Sequence, residues 1–132
     1  MSQENVEIVR RMAEAFNSGG LDAARRYYHP EIEWHEDPSF PESGVYRGVE
    51  AVIAYNQQFL SEFEAIRYEG EPVASAGEHV VSSMRIAGSG KISGAGFELS
   101  AWWAFTMRDG KVVRVYAYLD KDAALEAVGL RE

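Results

Sequence analysis

The run 97-FELSAWWAFTMRDGKVVRVYAYLD-120 reads as two β-strands joined by a tight turn, and it sets the class of the chain around it. Phe97, Leu99, Ala101, Trp103, Phe105 and Met107 alternate with Glu98, Ser100, Trp102, Ala104 and Thr106, the period of two expected of a half-buried strand. Asp109-Gly110 is a strong hairpin signal, and a second strand follows over 112–119. Working backwards, 79–87 and 66–75 read as strands too, separated by the breakers 76-AGE-78 and 87-AGSGKISGAG-96. The second half of the chain is therefore an antiparallel meander.

The first half is mostly helical. Val6, Val9, Met12, Ala13 and Phe16 recur at helical spacing over 4–17, with Ser2 as the expected N-cap and 19-GG-20 as the stop. A short second helix over Leu21–Tyr28 halts at Pro30, and a third spans about Val49 to Phe63. Between them 31-EIEWHE-36 alternates as a strand, and 38–48 reads as a loop. Asp120 caps a last short helix, Lys121–Val128, closed by Gly129. This order predicts one α+β domain over residues 1–132, without repeats or low-complexity tracts.

Composition narrows the function. The net charge of -8 and the scattered Lys and Arg argue against a nucleic-acid-binding face. The absence of cysteine excludes disulfides, thiolate nucleophiles and zinc-thiolate or iron–sulfur sites. No run reaches transmembrane length and the N-terminus lacks the apolar core of a secretory signal, so a cytoplasmic protein without a membrane partner is expected.

The pieces 12-MAEAFNSGGLDA-23, 29-HPEIEW-34, 46-YRGVEAV-52, 106-TMRDGKVVRVYAYLD-120 and 123-AALEAVG-129, taken in order, resemble SnoaL-like proteins. These belong to the nuclear transport factor 2-like superfamily, which includes ketosteroid isomerases and limonene epoxide hydrolases. The resemblance implies a cone: a curved, mixed or antiparallel sheet wrapped around three N-terminal helices, with an interior pocket, usually in a homodimer. The scaffold serves isomerases, cyclases, hydrolases and non-catalytic binders, so function must come from the site.

Two carboxylates compete for the catalytic role. If Ile32 and Trp34 face inward, alternation turns Glu36 inward and Glu33, His35 and Asp37 outward. Aligning instead on 36-EDP-38, which resembles the isomerase motif, selects Asp37 and requires a bulge. Parity favours Glu36. A carboxylate desolvated beside Trp34 would be raised in pKa toward useful acid–base chemistry. The resemblance also implies oxyanion donors, a tyrosine on the first helix and a protonated aspartate on a later strand. This chain offers Met12 and Trp102 or Trp103 at those positions, so steroid isomerisation by that machinery is not expected.

The remaining candidates follow from the same faces. Met12, Phe16, Tyr28, Trp34, Asn56, Phe59, Trp103, Phe105 and Leu119 are expected to line the pocket. Arg85, charged within 80-VVSSMRIA-87, either enters the pocket to pair with Glu36 or a ligand carboxylate, or snorkels outward. Trp102, Tyr116 and Tyr118 share the outer face and predict a sheet-to-sheet dimer interface. The histidines His29, His35 and His79 do not converge with carboxylates, so neither a metal site nor any other cofactor is expected. The glycine-rich 88-GSGKISGAG-96 precedes a strand rather than a helix N-terminus and lacks phosphate-loop spacing.

Two functions remain open. One is a cofactor-free cyclase, isomerase or hydrolase, in which a pocket carboxylate moves a proton on a small apolar or carbonyl-containing molecule. The other is a non-catalytic ligand-binding or dimerisation module of the same fold.

Overall fold

The N-terminal periodicity produces helix α1, Gln3–Ala24, in a computed structural model that describes residues 3–40 and 43–130. Its Val6 and Val9 are buried, and the helix bends where Gly20 adopts φ 70° and ψ −159°. Glycine tolerates that backbone without a Cβ penalty. The two expected N-terminal helices are thus one element bent at the second glycine. A 3₁₀ turn, Arg25–Tyr27, replaces the end of the expected second helix. The proposed Ser2 cap lies outside the described residues.

Strand β1, Tyr28–Glu36, follows with Ile32 and Trp34 buried. Part of the expected 38–48 loop is a strand, β2, Gly44–Arg47, paired antiparallel to β1. A short, mostly exposed edge strand carries no apolar alternation to betray it; pairing with β1 creates it. Helix α2, Val49–Leu60, stops before Phe63, which opens β3, Phe63–Ala76. Strands β4, His79–Gly90, β5, Gly96–Arg108, and β6, Lys111–Tyr118, complete the sheet, and helix α3, Lys121–Ala127, closes the chain. The Asp120 carboxylate accepts the Ala123 N–H at 2.9 Å, the cap expected of it.

Among the described residues the sheet has six strands in the order β2-β1-β6-β5-β4-β3. It is mixed, because β1 runs parallel to β6 while the other neighbours are antiparallel. Asp109 (φ 54°) and Gly110 (φ 75°) are both left-handed, the geometry a two-residue hairpin turn requires between right-twisted strands. Register shifts at Glu64/Arg67, Pro72/Ala74 and Thr106/Met107 bend the strands, and the sheet remains an open cone rather than a closed barrel.

The concave face packs Ile32, Val80, Phe105 and Val115 beneath α1 and α2, with Val52 of α2 in the same core. Phe105 is 1% exposed, and burying a side chain of that kind stabilises by roughly 1.5–3 kcal/mol. Asn17 pins α1 to β3: its Nδ2 donates to the Tyr68 carbonyl at 2.7 Å and its Oδ1 accepts the Tyr68 N–H at 2.9 Å. That pair satisfies backbone groups on an edge strand and fixes Tyr68 beneath the helix. On the convex face α3 covers Val81 and Ala104, with Trp102, Tyr116 and Tyr118 partly buried around it. Among the described residues no helix is long and apolar enough to cross a membrane.

Candidate functional site

Strand alternation and parallel pairing with β6 place Glu36 inside the cone. Glu36 lies opposite Ala117 in the register, two residues beyond Trp34 on the same face. The indole Nε1 of Trp34 donates forward to Glu36 Oε1 at 3.1 Å. From α2 the Tyr55 hydroxyl donates to the same oxygen at 2.8 Å. Tyr55 is held by Tyr46 of β2, the two rings stacked 4.1 Å apart, and Tyr46 pairs directly across from Trp34. The unexpected strand thus buttresses the donor that holds the carboxylate.

Both side-chain donors converge on Oε1, so Oε2 is the oxygen left for a ligand. Burial pushes the Glu36 carboxyl above the ordinary glutamate value, against the opposing pull of Tyr55, Trp34 and the Asp37 backbone. The carboxylate opens into a cavity of about 290 Å³, whose walls include Phe59, Tyr68, Leu99, Trp103 and Leu119, with Phe40 and Glu62 among its lining residues. This volume lies at the small end of the range for small-molecule sites, about 300–1,000 Å³.

A second, smaller chamber of about 40 Å³ lies toward α1 and is lined by Met12, Phe16, Tyr28, Met84 and Phe105 among others. Trp34, Asn56, Tyr68 and Trp103 border both spaces. The partition is an aromatic assembly. Tyr68 stacks on Phe16 at 4.4 Å and meets the edge of Trp103 at 5.8 Å, and Trp103 stands edge-on to Trp34 at 5.1 Å. Burial pushes the Tyr28 phenol up to about 12. Tyr68 is raised further, first by burial and then by the neighbouring Tyr28 and Glu36. Both therefore stay protonated at neutral pH as hydroxyl donors.

The expected pocket residues divide between these chambers, and two candidates, Arg85 and Asp37, stand outside both. Arg85 stands on the convex face, exposed, between Glu98 (2.6 Å) and Glu69 (3.7 Å). Its neighbours Met84 and Ile86 are the buried ones, so the strand's alternation turns the guanidinium outward. Asp37 is also absent from the cavity wall. Its Oδ1 accepts the Ser39 N–H at 2.8 Å and its Oδ2 the Leu119 N–H at 2.9 Å, while its own N–H donates to the Ala117 carbonyl. Burial pulls the Asp37 carboxyl up, but the Leu119 and Ser39 donors outweigh it and hold it below the ordinary aspartate value. Asp37 clips the loop after β1 to the end of β6.

Trp102, Tyr116 and Tyr118 lie on the convex face as expected, and Trp102 pairs directly opposite Tyr118. Helix α3 partly covers them, and Lys121 Nζ sits 5.3 Å from the Trp102 ring centre. His35 packs against Tyr116, ring centres 4.6 Å apart and tilted by 30°, and contacts Glu33 Oε1 at 3.1 Å, with Arg47 and Arg114 beside the same carboxylate. This cluster is outside the cone. Among the described residues no group of three His, Asp or Glu side chains is placed to hold a metal ion.

Sequence reasoning missed Tyr55 and Tyr68. Both signals were present: Tyr55 lies one helical turn before Phe59, and Tyr68 shares strand parity with Ile66 and Gly70.

A family model described as a SnoaL-like domain matches residues 9–115. Among solved structures, an NTF2-like protein of unknown function from Burkholderia pseudomallei K96243 superposes with a TM-score of 0.77 at 19% identity, covering 96% of this chain and 97% of that one. A candidate SnoaL-like polyketide cyclase from Jannaschia sp. CCS1 gives 0.76 at 23%, covering 100% and 98%. An NTF2-like protein from Burkholderia xenovorans LB400 gives 0.69 at 30%, covering 96% of each chain. No curated protein sequence matches the chain.

Proposed function

The chain belongs to the SnoaL-like family, and from that premise we propose that it is a cofactor-free proton-transfer enzyme of the cyclase, isomerase or hydrolase kind. Its substrate would be a small apolar molecule carrying a carbonyl group. The observation that carries this reading is Glu36: partly buried, raised in pKa, and gripped through one oxygen by Trp34 and Tyr55 at the wall of an apolar cavity. In that arrangement Oε2 removes a proton from the carbon beside the carbonyl. The Tyr68 hydroxyl, kept protonated, is the nearby donor suited to the oxygen that gains charge. The name of the Jannaschia neighbour, a candidate SnoaL-like polyketide cyclase, agrees with chemistry on a carbonyl-bearing substrate. We further assign the convex row Trp102, Tyr116 and Tyr118 to a homodimer contact, since α3 leaves all three partly exposed.

The test is deuterium exchange beside the carbonyl of 2-tetralone and simple methyl ketones, followed by NMR. Glu36→Gln should slow exchange by at least about 100-fold, the usual share of a positioned general base. Equal exchange in both proteins would refute proton transfer. A rise in melting temperature with the same ketones, unaccompanied by exchange, would mark a non-catalytic binder.

A further inference from the structure

The smaller chamber has no place in a mechanism confined to Glu36, yet several features keep it open. On α1, Met12, Ala13, Phe16 and Leu21 point at the sheet but remain only partly buried, whereas Val9 and Val6, one and two turns earlier, and Ala24 at the helix end are buried. Asn17 and Phe16 hold the helix to Tyr68 of β3, and the chamber lies beside that anchor under incompletely packed α1 side chains. Beneath it β3 carries Gly70, whose φ is not positive, so no turn demands a glycine there. A Cβ at that position would come within 2.9 Å of Met84 Sδ and 3.3 Å of Ser82 Oγ. The group that approaches this glycine is Met84, itself a lining residue of the chamber, so Gly70 makes room for that wall. The chamber wall is almost wholly apolar, and it adjoins the Glu36 cavity across Tyr68, Trp103, Trp34 and Asn56.

An apolar space of this kind stays dry and gains free energy when hydrocarbon enters it. We propose that it is a tail subsite, so the ligand is an elongated amphiphile, its carbonyl head at Glu36 and a slender apolar chain passing the Tyr68–Trp103 partition toward α1. This rests on the head group being bound in the Glu36 cavity. The inner chamber then sets specificity by chain length. Partly exposed α1 side chains and the aromatic partition are the parts that yield as the chain enters.

The experiment titrates the protein with methyl ketones from 2-butanone to 2-dodecanone, reading the fluorescence of Trp34 and Trp103 in a Trp102→Phe background. Affinity should rise about fourfold per methylene while the chain enters the chamber, then level off. Ala13→Phe, which fills the space, should bring the plateau to shorter chains while leaving 2-butanone binding intact. Met12→Ala, which enlarges it, should move the plateau to longer chains, so the proposal stays testable if the filled variant fails to fold. A chain-length profile that is flat, or identical in wild type and both variants, overturns the tail subsite. Failure of the parent reading looks different: Glu36→Gln would then leave deuterium exchange unchanged, whatever the chain-length profile.

Discussion

Replacing Tyr55 with phenylalanine removes one of the two side-chain donors to Glu36. The ring keeps its stack on Tyr46, and the Trp34 indole still reaches Oε1. A hydrogen bond to a charged group is worth about 1.5–3 kcal/mol. Its loss disfavours the charged form and so raises the carboxyl further. Glu36 is not sealed from the cavity, so water recovers part of the bond and the net loss is about 1.5 kcal/mol, the low end of that range. Folding raises this carboxyl, so the folded chain holds the proton more tightly than the unfolded one. Wild-type stability attributable to Glu36 therefore falls as pH climbs from the ordinary glutamate value through the raised one, then levels. In Tyr55→Phe the decline should extend to higher pH. A carbon-13 NMR titration of side-chain carboxyls, with Glu36 identified by its loss in Glu36→Gln, measures the midpoint. An unchanged or lower midpoint in a folded Tyr55→Phe would refute the clamp.

Asp37→Asn should cost about 1 kcal/mol at neutral pH, because an amide can accept only one of the two N–H groups now bound to the carboxylate. The sign is opposite to that of Glu36: the Asp37 contribution is present above the ordinary aspartate value and lost as pH falls through the lowered one. Urea denaturation at neutral and acid pH should show the variant's deficit vanishing in acid; an equal deficit at both would count against the clip. Phe105→Ala, at a core position 1% exposed, should lose about 3–5 kcal/mol in the same assay, and a loss under 1 kcal/mol would mean the site collapses freely. Trp102→Glu combined with Tyr116→Glu should yield monomers in sedimentation velocity, whereas an unchanged mass would move any dimer contact off the convex face.

Much of the architecture was legible because it is local. The helical spacing of Val6 and Val9, the Asp109-Gly110 turn and the alternation through Ile32, Trp34 and Glu36 each depend on neighbours a few residues away. Parity alone chose Glu36 over Asp37, and the same rule applied to Met84, Arg85 and Ile86 turns Arg85 outward. What escaped was set by partners distant in sequence. Strand β2 exists because β1 offers an edge. Asp37 becomes a clip only because parallel pairing brings Leu119, 82 positions away, against its carboxylate.

The sequence by itself determined the order of elements apart from β2 and the merged first helix, the faces of the strands and the carboxylate that looks into the cone. These follow from short-range sterics and apolar periodicity, which act within a few residues. Only the tertiary structure decided that Tyr55 and Trp34 share one oxygen of Glu36, that Tyr68 stands between two chambers, and that α1 packs incompletely against the sheet around Met12 and Ala13. A hydrogen bond is made or missed within a few tenths of an ångström, and a cavity is what remains after every side chain has packed. Both depend on the register and curvature of the whole sheet, which no local pattern encodes.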